Sequence, residues 1–139
     1  MTKIMLATLA LATGVVFAGP AFADKYKAVL DGKSEVPPTT STATGTADID
    51  YDAATKKLSW KLTYTGLSGP AKAAHFHGPA EVGKNAGVAV AIPGATSSPA
   101  EGSATLTDAQ AADLAGGKLY VNVHTEANPG GEIRGQVTK

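Results

Sequence analysis

The sequence contains no cysteine. That absence excludes disulfides, thiolate nucleophiles, iron–sulfur clusters, cysteine-ligated zinc and a blue-copper centre built on His and Cys. Any metal would have to be held by imidazole, carboxylate, amide, main-chain or water ligands. An excess of charge is also missing, since 12 Lys and Arg balance 12 Asp and Glu. Nucleic acid needs a basic face and is therefore not an expected partner, and nothing favours an anionic membrane surface. No serine sits in a Gly-x-Ser-x-Gly elbow, and no helical stretch is long enough for a β–α–β crossover.

Long apolar runs are limited to one place. Residues 4–17 are mostly Ala, Leu, Val and Ile, follow Lys3, and lead to the small-x-small triplet Ala21-Phe22-Ala23. The pattern predicts a signal peptide over residues 1–23 and a mature, exported chain of residues 24–139, periplasmic or secreted. The run is short for a membrane span, and Gly19-Pro20 closes it. Losing Lys3 leaves the mature chain slightly acidic. Its length suits one domain that buries roughly two thirds of its chain surface.

What is present is alternation. Residues 26–30 read as a strand closed by Asp31-Gly32, and residues 33–44, with Pro37-Pro38 at their centre, as a loop or covered edge. In residues 45–52, Ala47, Ile49 and Tyr51 share one face and Asp48, Asp50 and Asp52 the other. In residues 57–64, Leu58, Trp60, Leu62 and Tyr64 do the same against Lys57, Ser59, Lys61 and Thr63. Joined by a short turn, these runs predict an antiparallel hairpin with one wet face. The aspartates lack the glycine and terminal glutamate of a calcium loop and read as a solvated strand face. Trp60 and Tyr64 read as core. Residues 71–77, 88–92 and 102–106 are further strands, the second expected to be buried. Thr107-Asp108-Ala109-Gln110 has the form of a capping box ahead of a short helix that Gly116-Gly117 would stop. Residues 119–124 and 132–137 form a last hairpin across Asn128-Pro129-Gly130-Gly131, a turn set by its Pro and Gly. The predicted class is all-β, an antiparallel Greek-key sandwich or barrel with one short helix.

All three histidines lie in two of these strands. His75 and His77 alternate with Ala74 and Phe76, so both imidazoles leave the strand on one face. His124 ends a second strand-like run. One reading brings the three rings around a single ion; the other leaves His75 and His77 as polar groups on a wet face, unrelated to His124. Glu81, Glu126 and Glu132 are candidate fourth ligands or partners of an imidazole, each against the plainer alternative of an exposed carboxylate. Glu132 and Arg134 share a predicted strand face and could pair.

Three blocks carry a family resemblance: residues 74–80 (AHFHGPA), 117–125 (GKLYVNVHT) and 128–136 (NPGGEIRGQ). In this order the chain resembles the CHRD domain, named for chordin and found in many exported bacterial proteins, over essentially the whole of residues 24–139. A more distant likeness is to copper/zinc superoxide dismutase, which implies a Greek-key sandwich with His75, His77 and His124 at the positions of copper ligands. The bridging histidine, the zinc-ligand histidines and the disulfide cysteines of that family have no counterpart here.

An all-imidazole set suits copper or zinc, and copper(II) is the tighter binder of the two. The leading expectation is an exported protein that binds one copper ion, zinc second, through His75, His77 and His124, and acts in metal binding, sequestration or delivery. The alternatives are a mononuclear copper enzyme of superoxide-dismutase type and a protein-interaction module without metal. The metal reading requires His124 to fall on the same side of the fold as the other two.

Overall fold

The computed structural model describes residues 22–139. Residues 1–21 of the predicted signal peptide lie outside the described residues. Eight strands, β1 (Asp24–Asp31), β2 (Thr44–Asp52), β3 (Lys57–Thr65), β4 (Ala71–His77), β5 (Val88–Ala91), β6 (Ala100–Thr105), β7 (Tyr120–Thr125) and β8 (Ile133–Gln136), are joined by one helix, α1 (Asp108–Ala115), between β6 and β7. The strands form one sheet in the order β5-β4-β7-β8-β1-β2-β3-β6. Every pairing is antiparallel. The sheet curls into a nearly closed barrel, and the steps from β3 to β4, β5 to β6 and β6 to β7 carry the chain between its halves in Greek-key fashion.

The β2–β3 hairpin forms as its alternation requires, from Thr44↔Thr65 to Asp52↔Lys57. Ala47, Ile49, Leu58, Trp60 and Leu62 point inward, and the intervening Asp and Lys side chains are on the wet face. The core closes where Trp60 of β3 meets Phe76 of β4 edge to face, with ring centroids 5.2 Å apart. Each large apolar side chain buried there contributes roughly 1.5–3 kcal/mol. Gly102 in β6 lies so close to the indole that a Cβ would sit 2.9 Å from Cζ2.

The two halves are stitched lightly. Between β1 and β8 the ladder has the single pair Asp31↔Arg134, extended by the bridge Lys27↔Thr138. On the opposite side β5 and β6 are not paired with each other. The capping box of α1 helps cover that opening. Thr107 Oγ1 accepts from Gln110 N and Gln110 Oε1 accepts from Thr107 N, while Gln110 Nε2 donates to the edge carbonyl of Ala89 at 2.9 Å. A paired edge group is withdrawn from association with other strands.

Residues 88–92 differ from expectation. They form an edge strand with Val88 56 % exposed, and only Ile92, one residue past the strand end, is buried. A short apolar run reads the same at an edge as in a core, because both lack a polar alternate.

Candidate metal centre

The outer face of β4 and β7 gathers the polar residues that the core rejects. Ala74 and Phe76 turn inward with Val121 and Val123, so His75 and His77 turn outward with Tyr120, Asn122 and His124. The register sets Ala73 opposite His124, His75 opposite Asn122 and His77 opposite Tyr120. β4 carries register shifts at Ala71/Ala73 against β7 and at Phe76/His77 against β5, irregularities of the kind that re-aim side chains.

All three predicted histidines converge. One ring nitrogen from each of His75, His77 and His124 lies within 4.8 Å of the others. The ring centroids are 4.9 Å apart for His75 and His124, 5.5 Å for His75 and His77, and 6.0 Å for His77 and His124. Three nitrogens at about 2.0–2.1 Å from one ion in a trigonal or tetrahedral arrangement lie about 3.3–3.6 Å apart, so the widest pair must close by roughly 1.2–1.5 Å. Side-chain torsions supply a movement of that size.

Two backbone carbonyls fix how the rings face. His77 Nδ1 lies 3.0 Å from Ala86 O, and His124 Nδ1 lies 2.8 Å from Pro129 O. A carbonyl only accepts, so both Nδ1 atoms carry the proton and both Nε2 atoms present a lone pair. His77 Nε2 is buried without a partner. His75 Nδ1 faces His124 Nε2 at 3.1 Å. Burial, then the charge of the neighbouring imidazoles, lowers the pKa of His75. Burial likewise lowers that of His77, with the His124 charge, against the opposing interactions with Ala86 O, the Asn122 side chain and the Gly87 backbone. Both rings therefore stay neutral, as ligands must, further into the acid range than free imidazole.

A layer behind the histidines holds Ala86 in place. The Tyr120 ring stacks on His77 with centroids 4.9 Å apart and planes 4° from parallel, and the Arg134 guanidinium carbon lies 3.4 Å from the Tyr120 centroid. Tyr120 Oη accepts from Ala86 N and donates to Ala86 O, both at 3.1 Å. Arg134 donates to Lys84 O and to Asn85 Oδ1, and Asn85 Nδ2 donates to Val36 O, tying loop 78–87 to loop 32–43. Glu35 enters from the latter loop and is 4 % exposed. Burial raises its pKa to about 7 against the Arg134 charge and hydrogen bonds from Asn122 and Val36.

The candidate glutamates do not join the cluster. Glu81 and Glu126 are exposed, and among the described residues the cluster of His, Asp and Glu side chains close enough to share an ion consists of His75, His77 and His124, with no carboxylate. Glu132 is fully buried but serves another purpose. Its carboxylate accepts from Ser41 Oγ, Ser68 N, Ser68 Oγ, Thr125 Oγ1 and Asn128 Nδ2. Burial alone would raise its pKa, but these hydrogen bonds outweigh it and hold the group at about 2. The expected Glu132–Arg134 pair is absent because Glu132 precedes β8, where strand alternation does not apply, and Arg134 turns to Tyr120 and loop 78–87. The Asn128–Gly131 turn does more than reverse the chain, since Pro129 O orients His124.

Sequence reasoning missed Asn122, Tyr120, Arg134, Glu35 and both orienting carbonyls. Strand alternation back from His124 carried a signal for Asn122 and Tyr120, and nothing in a Pro- and Thr-rich loop marked Glu35.

A nearly closed antiparallel barrel with three convergent imidazoles on one outer face defines an all-β domain with a candidate mononuclear metal centre. Residues 26–137 match the CHRD domain, and the chain belongs to that family. No curated protein and no solved structure matches it, so the likeness to superoxide dismutase gains no support from these comparisons. No helix among the described residues is long and apolar enough to cross a membrane.

Proposed function

We propose that this CHRD-domain protein works outside the cytoplasm and binds one metal ion, copper in first place and zinc in second, through His75, His77 and His124, in metal binding, sequestration or delivery. The observation that carries the reading is the convergence of three ring nitrogens within 4.8 Å, two of them with tautomers set by backbone carbonyls. Such pre-orientation costs ordering energy that a merely solvated strand face would not repay. A bound copper ion would supply a Lewis-acidic, redox-capable centre. His77 is buried while His75 and His124 are half-buried, so the cluster grips from beneath and stays reachable from solvent. That access suits uptake and release.

Titration of the purified protein with copper tests the reading. Saturation near one ion per chain, with a raised Tm, is the expected result. The His75→Ala, His77→Ala, His124→Ala triple variant should lose both responses; uptake unchanged by it would remove the site. Superoxide turnover by the loaded protein would move the conclusion to a redox enzyme. A partner retained by the triple variant in chelator would move it to an interaction module.

A further inference from the structure

We propose that Asn122 is a fourth donor of this centre, its side-chain oxygen Oδ1 facing the ion that His75, His77 and His124 hold. The inference rests on the metal-binding reading above and adds a ligand to it. On the outer face of β7, Asn122 lies between Tyr120, on which His77 stacks, and His124, and its cross-strand partner is His75. The imidazoles of His77 and His124 thus approach each other across the Asn122 position, which makes its amide the floor of the cluster.

The amide is anchored at its other end. Asn122 Nδ2 donates to Gly130 O at 3.3 Å, and the Glu35 carboxyl lies against the same end of the amide at Gly131. These acceptors identify which end is nitrogen, because a carbonyl oxygen turned towards Gly130 O would be repelled. Gly131, at φ +127°, leaves room for this arrangement, and a Cβ there would sit 2.6 Å from Asn122 Nδ2. The remaining atom, Oδ1, is buried and has no partner, as is His77 Nε2. Asn122 itself is 3 % exposed, so bulk water does not satisfy that oxygen. Two buried acceptors on one face call for an ordered water, a proton or a cation between them, and the convergence of three imidazoles at the same place favours the cation. A neutral amide oxygen is a harder donor than imidazole and favours copper(II) over copper(I).

The test compares the full-length wild type with Asn122→Leu and Asn122→Asp in copper(II) and copper(I) titrations and in copper(II) electron paramagnetic resonance. Asn122→Leu should bind copper(II) about 10- to 100-fold more weakly, with copper(I) affinity nearly unchanged and a raised reduction potential. Asn122→Asp keeps an oxygen towards the ion but loses the donor to Gly130, and it should hold copper(II) at least as tightly as the wild type. If both variants weaken together, or if Asn122→Leu keeps the wild-type affinity and spectrum, the amide is structural only and the proposal is overturned. Wild-type protein labelled with ¹³C-asparagine gives an answer even if the Leu variant fails to fold. Pulsed resonance should show a ¹³C coupling from a ligated amide, and its absence in copper-loaded protein overturns the fourth ligand while leaving the three histidines standing. Asn85 and Asn128 do not confuse the readout, since their side chains bond Arg134 and Glu132. A wild type that takes up no copper overturns this proposal and the metal-binding reading together.

Discussion

Two buried glutamates in this domain have opposite fates. Glu132 sits where loops 32–43, 66–70 and 126–132 meet, and donors from Ser41, Ser68, Thr125 and Asn128 surround its carboxylate. Glu35 sits behind the histidine cluster with Oε1 unpartnered, and the neighbouring Asn122, which turns its Nδ2 end this way, leaves its own Oδ1 unpartnered as well. The first environment holds the carboxyl at about 2, the second pushes it to about 7. Burial is common to both, so hydrogen-bond satisfaction decides the sign. The lesson is about purpose as well as charge. A region with every acceptor satisfied contributes stability, whereas one that leaves acceptors open is where the proposed ion would find its donors.

The largest expected effect breaks the satisfied region. Glu132→Ala strands the donors of Ser41, Ser68, Thr125 and Asn128 and should cost about 4 kcal/mol in a denaturant melt. A loss below about 1 kcal/mol would end the view of Glu132 as a clamp. Next comes the open region. At copper a hundredfold above Kd the wild type should gain about 2.7 kcal/mol of stability, and the triple histidine variant should gain none.

The third prediction turns on pH. The folded pKa of Glu35 lies above its ordinary value of 4.5, so the folded state resists ionising it. The resulting penalty is absent below pH 4.5, grows as pH rises to about 7, and is constant beyond. Glu35→Gln should therefore stabilise the metal-free protein by about 2 kcal/mol at pH 8 and have little effect at pH 4. A pH-independent change in Tm would contradict this. Glu132 has the opposite linkage: its stabilisation is present above pH 4.5 and is lost as pH falls towards about 2. The smallest effect sharpens the contrast. Tyr120→Phe removes the hydroxyl that holds Ala86 and should cost about 1 kcal/mol. Copper binding should weaken a few-fold as His77 loses its fixed orientation, and calorimetric titration would show whether it does.

Much of the fold was legible because burial repeats every second residue along a strand. Ala47, Ile49 and Tyr51 against Asp48, Asp50 and Asp52 left only one way to face the hairpin. The capping box at Thr107 and Gln110 was local and correct. The same alternation put His75 and His77 on one side of a strand, whereas His124 was named as the remaining histidine, at the end of another strand-like run, and only the β4–β7 pairing brings it beside them. Glu132 was misjudged because its surroundings come from loops distant in sequence, and Glu35 was invisible for the same reason. Residues 88–92 were misplaced because an apolar run carries no information about its neighbours.

The amino-acid order alone thus determined the strands, the inward and outward faces, the helix cap and the shared face of His75 and His77, since each depends on groups a few residues apart. Tertiary structure decided that β7 lies beside β4, that Ala86 and Pro129 carbonyls aim two of the rings, and that one glutamate is satisfied and the other left open. The β4–β7 pairing joins residues tens of positions apart, and even the Ala86 and Pro129 carbonyls, nine and five residues from their rings, are aimed by loops whose course the register of the nearly closed sheet sets, and not any local preference.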